Sequence, residues 1–320
     1  TPTLEWNRRQ RQMCIRDRGH RGRFLLSGGR GAFLDPAEPL AAADYLVAAT
    51  LDGDRREARI FLGTAIPPAD LFDQFEAQMQ WVERVDWDVE RQVVRAERLL
   101  KLGALGLKTE PLTVIDVEAR KAALLKGICL KGLDGLPWSK SLRAWQARVL
   151  FLRRMLGDRE AWPDVSDDRL VETLETWLGP YLSGVSRLKD VGRKDLAAAL
   201  QGHLAWSQQQ RLERLAPTHL DVPSGSRRPI DYSGEIPVLA VRIQEMFGAC
   251  KTPTIAEGRQ ALLIHLLSPA GRPAQITQDL AGFWKNSYPD VKKELKGRYP
   301  KHYWPEDPLT ARPTARVRPR

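Results

Sequence analysis

The sequence predicts an α+β protein built from a small β-barrel, a helical middle region and a C-terminal α+β module. Three observations carry that prediction. Residues 22–112 alternate apolar and polar side chains in short runs separated by Gly-containing turns. Residues 116–215 change to a helical period, and from Thr218 strand-like and helix-like runs mix.

In the first region, RFLLSGGRGAFL places two apolar runs around Gly28 and Gly29, which reads as a hairpin. DYLVAATLDGDRREARIFLGTAI repeats the pattern around Asp52-Gly53. WVERVDWDVERQVVRAERLLKLGALGL alternates over a long stretch, and one helix is expected from about Pro68 to Gln78. Several short strands with regular turns suggest a small barrel over 20–115.

The helical region, 116–216, shows three apolar stripes. Leu142, Trp145, Val149, Leu152 and Leu156 form the first. Leu170, Leu174, Trp177 and Leu178 form the second, behind a Ser166 N-cap followed by Asp167 and Asp168. Leu196, Leu200, Leu204, Leu212 and Leu215 form the third. Trp145, Trp177 and Trp206 lie on or beside these stripes and are expected in the core.

The terminal module, 217–308, opens with a turn at Ser224-Gly225, and VLAVRI and ALLIHLL follow as strands. ITQDLAGFWKNSY reads as a helix broken by Pro289, which opens a second helix ended by Gly297. Residues 309–320, rich in Pro and Arg, are expected to be a disordered basic tail.

The chain has 320 residues, a net charge of +10 and three distant cysteines, Cys14, Cys129 and Cys250. That cysteine usage argues against a disulfide framework or zinc site and fits a reduced, cytoplasmic setting. No apolar run is long enough for a membrane span. Residues 1–30 hold eight Arg against Glu5 and Asp17, and residues 291–320 hold nine Lys or Arg against three acids. Each end therefore carries +6 and the middle −2. Basic ends are a candidate footprint for an anionic partner. Thr1 in place of an initiator Met reads as a piece of a longer protein. RQRQMCIRDRG, residues 9–19, resembles translated sequencing-adapter sequence, so 1–19 is expected to be non-native or disordered and dispensable.

Catalytic constellations do not emerge. There is no G-x-x-x-x-G-K-[ST] phosphate loop and no D-E-x-H box, and SGGRGAF lacks the Lys and the Ser or Thr. His219 and Asp221 share a strand face without a third group or nucleophile. Helix capping accounts for Asp164, Asp167 and Asp168. No catalytic, metal or cofactor-binding residue is assigned within the chain.

VPSGSRRPIDY, LAVRIQEMFG, TPTIAEGR, LLSPAGRPAQITQDLAGFWKNSY and VKKELKGRYPKHYWPEDP together resemble the C-terminal region of the bacterial HrpB family, DEAH-box ATP-dependent helicases acting on nucleic acid, chiefly RNA. The resemblance is close over 222–308. GRFLLSGGRGAFL and DYLVAATL look like the oligonucleotide-binding-fold region of that family, and the helical middle matches more loosely. The resemblance implies an OB-like barrel, and an accessory part working beside RecA-like motor domains of the same full-length protein. It places ATP and Mg2+ in those motor domains, whose phosphate loop, acidic box and arginine fingers have no counterpart here. The implied partner is single-stranded RNA. The alternative is a non-enzymatic protein- or ribosome-docking module, and an independent RNA-binding protein is a third reading.

Candidate contacts for nucleic acid centre on FWKNSYPDVKKELKGRYPKHYWPEDP, residues 283–308. On a helical wheel Tyr288, Val291, Leu295 and Tyr299 cluster within about 80°, with Lys292, Lys293 and Lys296 on the next ~100°. The lysine face, with Arg298 and Lys301 beyond it, is the expected phosphate contact. Tyr303 and Trp304, between Pro300 and Pro305, are expected either to pin the tail or to stack on bases; Trp304 is the stacking candidate, and Arg227 and Arg228 complete the set.

Overall fold

The computed structural model describes residues 12–16, 21–52, 57–157 and 160–319. The chain divides into two compact units, Thr1–Gly127 with Gly184–Arg187, and Ile128–Ser183 with Leu188–Arg320.

In the first unit, β1 (Gln12–Arg16), β2 (Arg23–Leu26), β3 (Gly31–Phe33), β4 (Tyr45–Leu51) and β5 (Glu57–Ala65) close into a barrel of order β1-β2-β3-β5-β4. All neighbours are antiparallel except β3 and β5. Inward side chains Phe24, Leu26, Ala32, Leu46, Ala58 and Ile60 form its core, as alternation requires. Gly29 turns the β2–β3 hairpin at φ 87°, a conformation that side chains with a Cβ resist. Strand β1 lies inside the segment set aside as non-native or disordered. It pairs with both β2 and β4, which corrects the expected disorder for Gln12–Arg16. Backbone pairing of this kind leaves no mark on composition.

Helix α1 (Pro68–Phe75) follows, continued by a 3-10 turn to Gln78. Strands β6 (Met79–Asp88), β7 (Val93–Leu102) and β8 (Leu105–Pro111) then form a separate three-stranded meander. The barrel therefore does not include the long alternating stretch, although the alternation itself is strand. Helix α2 (Val117–Lys131) begins in this unit. Gly127 on α2 sits directly under the Trp87 indole of β6, where any Cβ would collide with the ring.

In the second unit, α3 (Lys140–Leu156), α4 (Asp167–Glu172), α5 (Leu174–Trp177), α6 (Arg193–Gln201) and α7 (Trp206–Leu215) bury every residue of the three apolar stripes. The Ser166 hydroxyl accepts from Arg169 N at the start of α4, as its N-cap position implies. Trp145 and Trp177 are buried, but Trp206 is 73% exposed. Trp206 is the first residue of α7, whose buried residues are Leu212 and Leu215 further along, which corrects its assignment to the core.

The terminal sheet has the order β15-β14-β11-β10-β9, from β9 (His219–Asp221), β10 (Arg227–Asp231), β11 (Val238–Arg242), β14 (Leu263–Leu267) and β15 (Pro273–Thr277). A two-stranded ribbon of β12 (Thr254–Ile255) and β13 (Gln260–Ala261) lies between β11 and β14 in sequence. The closing helix is α8 (Leu280–Gly282), a π-helical stretch Phe283–Ser287 and α9 (Tyr288–Arg298). Pro289 does not break it. Proline has no N–H to return to the carbonyl four residues back, and the wider turn, with Tyr288 N bonded to Phe283 O, absorbs that loss. Gly297 lies within the helix, which ends one residue later. Phe247 is the hub of the core here, with the rings of Trp284, Tyr288 and Tyr303 about it at 5.9, 6.1 and 6.0 Å.

Residues 309–319 are not a loose tail. Gly248 N donates to Pro308 O, Thr314 N to Gln244 O and Tyr303 N to Val317 O, and Ala311 and Thr314 are buried. The correction has a simple physical reason. These contacts are made by the backbone, which a Pro- and Arg-rich composition does not report. Among the described residues no helix is long and apolar enough to cross a membrane.

Candidate nucleic-acid interface

On α9 the predicted phosphate face is smaller than the sequence implies. Lys293 and Lys296 are exposed, and so is Lys301 beyond the helix. Lys292 is buried, with only 9% of its surface accessible, and its ammonium lies 2.5 Å from Glu306 Oε1. That bond holds the Glu306 carboxyl below the usual carboxylate range. Lys292 is therefore a strap to the chain that follows α9, which corrects its place among the phosphate contacts. Arg298 is exposed and pairs with Glu294 one helical turn back at 3.2 Å. Trp304 is buried, and its indole N–H donates to Tyr299 O at 3.0 Å. Its faces are not offered to a base, so of the two expected roles it pins the tail, and its place among the nucleic-acid contacts is corrected.

Arg228 is also withdrawn. Its guanidinium grips Glu245, which is fully buried, through Nε–Oε2 at 2.8 Å and a second bond from Nη2 to Oε1. A bidentate pair on a buried carboxylate is structural, because removing the arginine leaves an uncompensated charge. Arg227 points the other way on β10, exposed, 3.5 Å from the equally exposed Asp221. His219 shares β9 with Asp221, and its ring contacts the Thr218 hydroxyl. Lys293, Lys296, Arg298, Lys301 and Arg227 remain available.

The barrel supplies residues that the sequence reading missed. The ladder sets Arg23 of β2 opposite Phe33 of β3, and Phe33 opposite Arg59 of β5. All three are exposed, while their strand neighbours Phe24, Ala32 and Ala58 are buried. Register thus makes a cation–aromatic–cation row across the outer face. Phe61, two residues along from Arg59, extends it. Leu51 pairs with Ile60 and Thr50 with Leu62, so Phe61 is the extra residue of a β-bulge. Phe61 is 62% exposed, and the Arg59 guanidinium carbon lies 5.7 Å from its ring centre. Arg23 is only weakly engaged, 3.4 Å from Glu57. The signal was present in IFLG, where Phe61 and Leu62 break the alternation. A second such pair stands on the meander, where Arg98 lies 4.5 Å over the half-exposed Trp81 ring and also reaches Glu110.

Charge beside flat aromatic faces is the combination that holds single strands: cations track phosphates while rings stack bases. Among the described residues acid–base chemistry has no comparable assembly. Among the described residues no group of three His, Cys, Asp or Glu could hold a metal ion. The sequence SGGRG forms the β2–β3 turn, with Gly29 N bonded to Leu26 O and Leu26 N to Arg30 O, and leads into a strand. Its amides do not cradle a phosphate at a helix start.

Family models match two stretches, one described as the connector region of ATP-dependent RNA helicase HrpB over residues 78–112, the other as the ATP-dependent helicase C-terminal domain over 177–308. The first coincides with the β6–β8 meander and the second runs from the end of α5 to Pro308. The chain is 42% identical over 306 residues to the ATP-dependent RNA helicase HrpB of Escherichia coli K12, covering 95% of this chain and 38% of that protein. A crystal structure of the E. coli DExH-box NTPase HrpB superposes with a TM-score of 0.61 at 42% identity, covering 95% of this chain and 38% of that one. A second crystal structure, of the Escherichia coli DEAH/RHA helicase HrpB, gives 0.53 at 39% identity over 91% of this chain and 36% of the other. The chain thus spans less than two fifths of the length of these relatives, and it belongs to the HrpB family of ATP-dependent helicases, in that family's connector and C-terminal regions.

Proposed function

We propose that this chain is the accessory, nucleic-acid-binding part of an ATP-dependent RNA helicase, acting beside RecA-like motor domains in the rest of the full-length protein. In this reading the motor holds ATP and Mg2+, and this chain holds single-stranded RNA in a reducing cytoplasm. The observation that carries the reading is the exposed row Arg23–Phe33–Arg59 with Phe61 beside it. The strand order β1-β2-β3-β5-β4, with β3 parallel to β5, supports an OB-like barrel, a fold that binds oligonucleotides on its outer face. The cations of the second unit, Lys293, Lys296, Lys301 and Arg227, would add sequence-independent attraction.

The test is anisotropy of a fluorescent dodecauridylate titrated with the chain. Phe61→Ala removes one stacking platform and is expected to weaken binding by about 1–3 kcal/mol. Arg59→Glu should weaken it further and lower the salt slope by about 0.7. Both side chains are exposed, so circular dichroism should stay unchanged. Parent-like affinity in both folded variants would favour a protein- or ribosome-docking role instead.

A further inference from the structure

A cleft of about 370 Å3 opens between the β14–β15 turn and α9, lined by Ser268, Arg272, Val291, Glu294, Arg298 and Tyr299. Its size lies within the range of small-ligand sites. The turn that carries Arg272 is rigid. Ser268 N donates to Arg272 O, Gly271 N to Ser268 O, and Arg272 N to the Ser268 hydroxyl. Ser268 itself is buried. Among the described residues the Arg272 guanidinium has no acidic or hydrogen-bonding partner, while Arg298 on the opposite wall has Glu294 at 3.2 Å. Two arginines from different elements thus line one cleft, and Arg298 shares its wall with the carboxylate of Glu294. An anion seated in the cleft would be attracted by both arginines. The planar guanidinium fork matches phosphate oxygens in two-point geometry. Tyr299, half-buried, completes the lining.

We propose that this cleft seats one nucleotide unit of a single strand, its phosphodiester between Arg272 and Arg298 and its base against Tyr299. The inference rests on the nucleic-acid reading above and extends it to a defined subsite in the second unit. Glu294 on the same wall repels a second negative charge, so an internal, singly charged phosphodiester is favoured over a dianionic terminal phosphate.

The experiment uses the whole chain and labelled dodecauridylate at 0.1 M salt. Arg272→Gln should weaken binding about fivefold and lower the log–log salt slope by roughly 0.7, the share of one phosphate contact. Tyr299→Leu should weaken binding to the normal strand and leave an abasic strand unaffected. Replacing the strand's phosphates by neutral methylphosphonates should erase the difference between parent and Arg272→Gln. Unchanged affinity and slope in folded Arg272→Gln, while Arg59→Glu still weakens binding, would overturn this subsite and leave the proposed function standing. Failure of the parent chain to bind any strand would overturn both. An Arg272 dependence confined to 5′-phosphorylated strands would assign the cleft to terminal phosphate and overturn the phosphodiester.

Discussion

Lys292 and Lys293 are neighbours in sequence and opposites in role. One is buried against Glu306 and the other is exposed. Lys292→Glu would place a carboxylate at a buried position beside that of the exposed Glu306, so it should lower the melting temperature by several degrees. Lys293→Glu and Lys296→Glu should leave it within a degree or so while weakening any strand binding. Thermal melting of the three variants checks this. Gly127→Ala should cost about 1–3 kcal/mol, because its methyl group would strike the Trp87 ring, and denaturant titration measures it. His203 gives a pH test. Burial pushes its pKa below the ordinary 6.5, and its Nε2 has no hydrogen-bond partner. The folded state therefore resists a proton that the unfolded chain accepts. Stability is full above about pH 6.5 and falls as the pH drops below it. His302 shifts the same way, through burial and then Arg242, so His203→Gln should flatten the pH 5–7 slope in part. At this scale the sequence showed which residue types were present and misjudged the partners. Nothing near Lys292 reveals that Glu306 returns to it, and nothing beside Arg228 announces a buried Glu245.

Elements were more legible than residues. The stripes from Leu142 to Leu215 predicted inward faces correctly, because a helical period records burial directly. Alternation likewise predicted strands over 22–112, yet it records no partner. That is why the β6–β8 meander was read as part of the barrel. Strand β1 was lost for the same reason, since backbone pairing to β2 and β4 leaves no mark on composition. Deleting residues 1–18 should therefore open the barrel between β2 and β4 and lower the melting temperature of the first unit by several degrees. An unchanged melting curve would show that the other four strands suffice. On α9, Leu295 is buried, and Leu295→Ala should cost about 2–4 kcal/mol in denaturant titration.

At the scale of the whole molecule, the division into two compact units makes unfolding in two steps the expectation, with deletion of β1 shifting only one of them. The absence of a phosphate loop from the sequence predicts that the purified chain turns over no ATP. The central claim is that the chain grips a single strand through the cation–aromatic row of its barrel. Ultraviolet cross-linking of the chain to an oligouridylate, followed by mass-spectrometric mapping of the linked peptides, tests it most directly. The account predicts links at Phe33 and Phe61, in the peptides that carry β3 and β5, lost on Phe61→Ala in the latter. Robust cross-linking that leaves both of those peptides unmodified would contradict it.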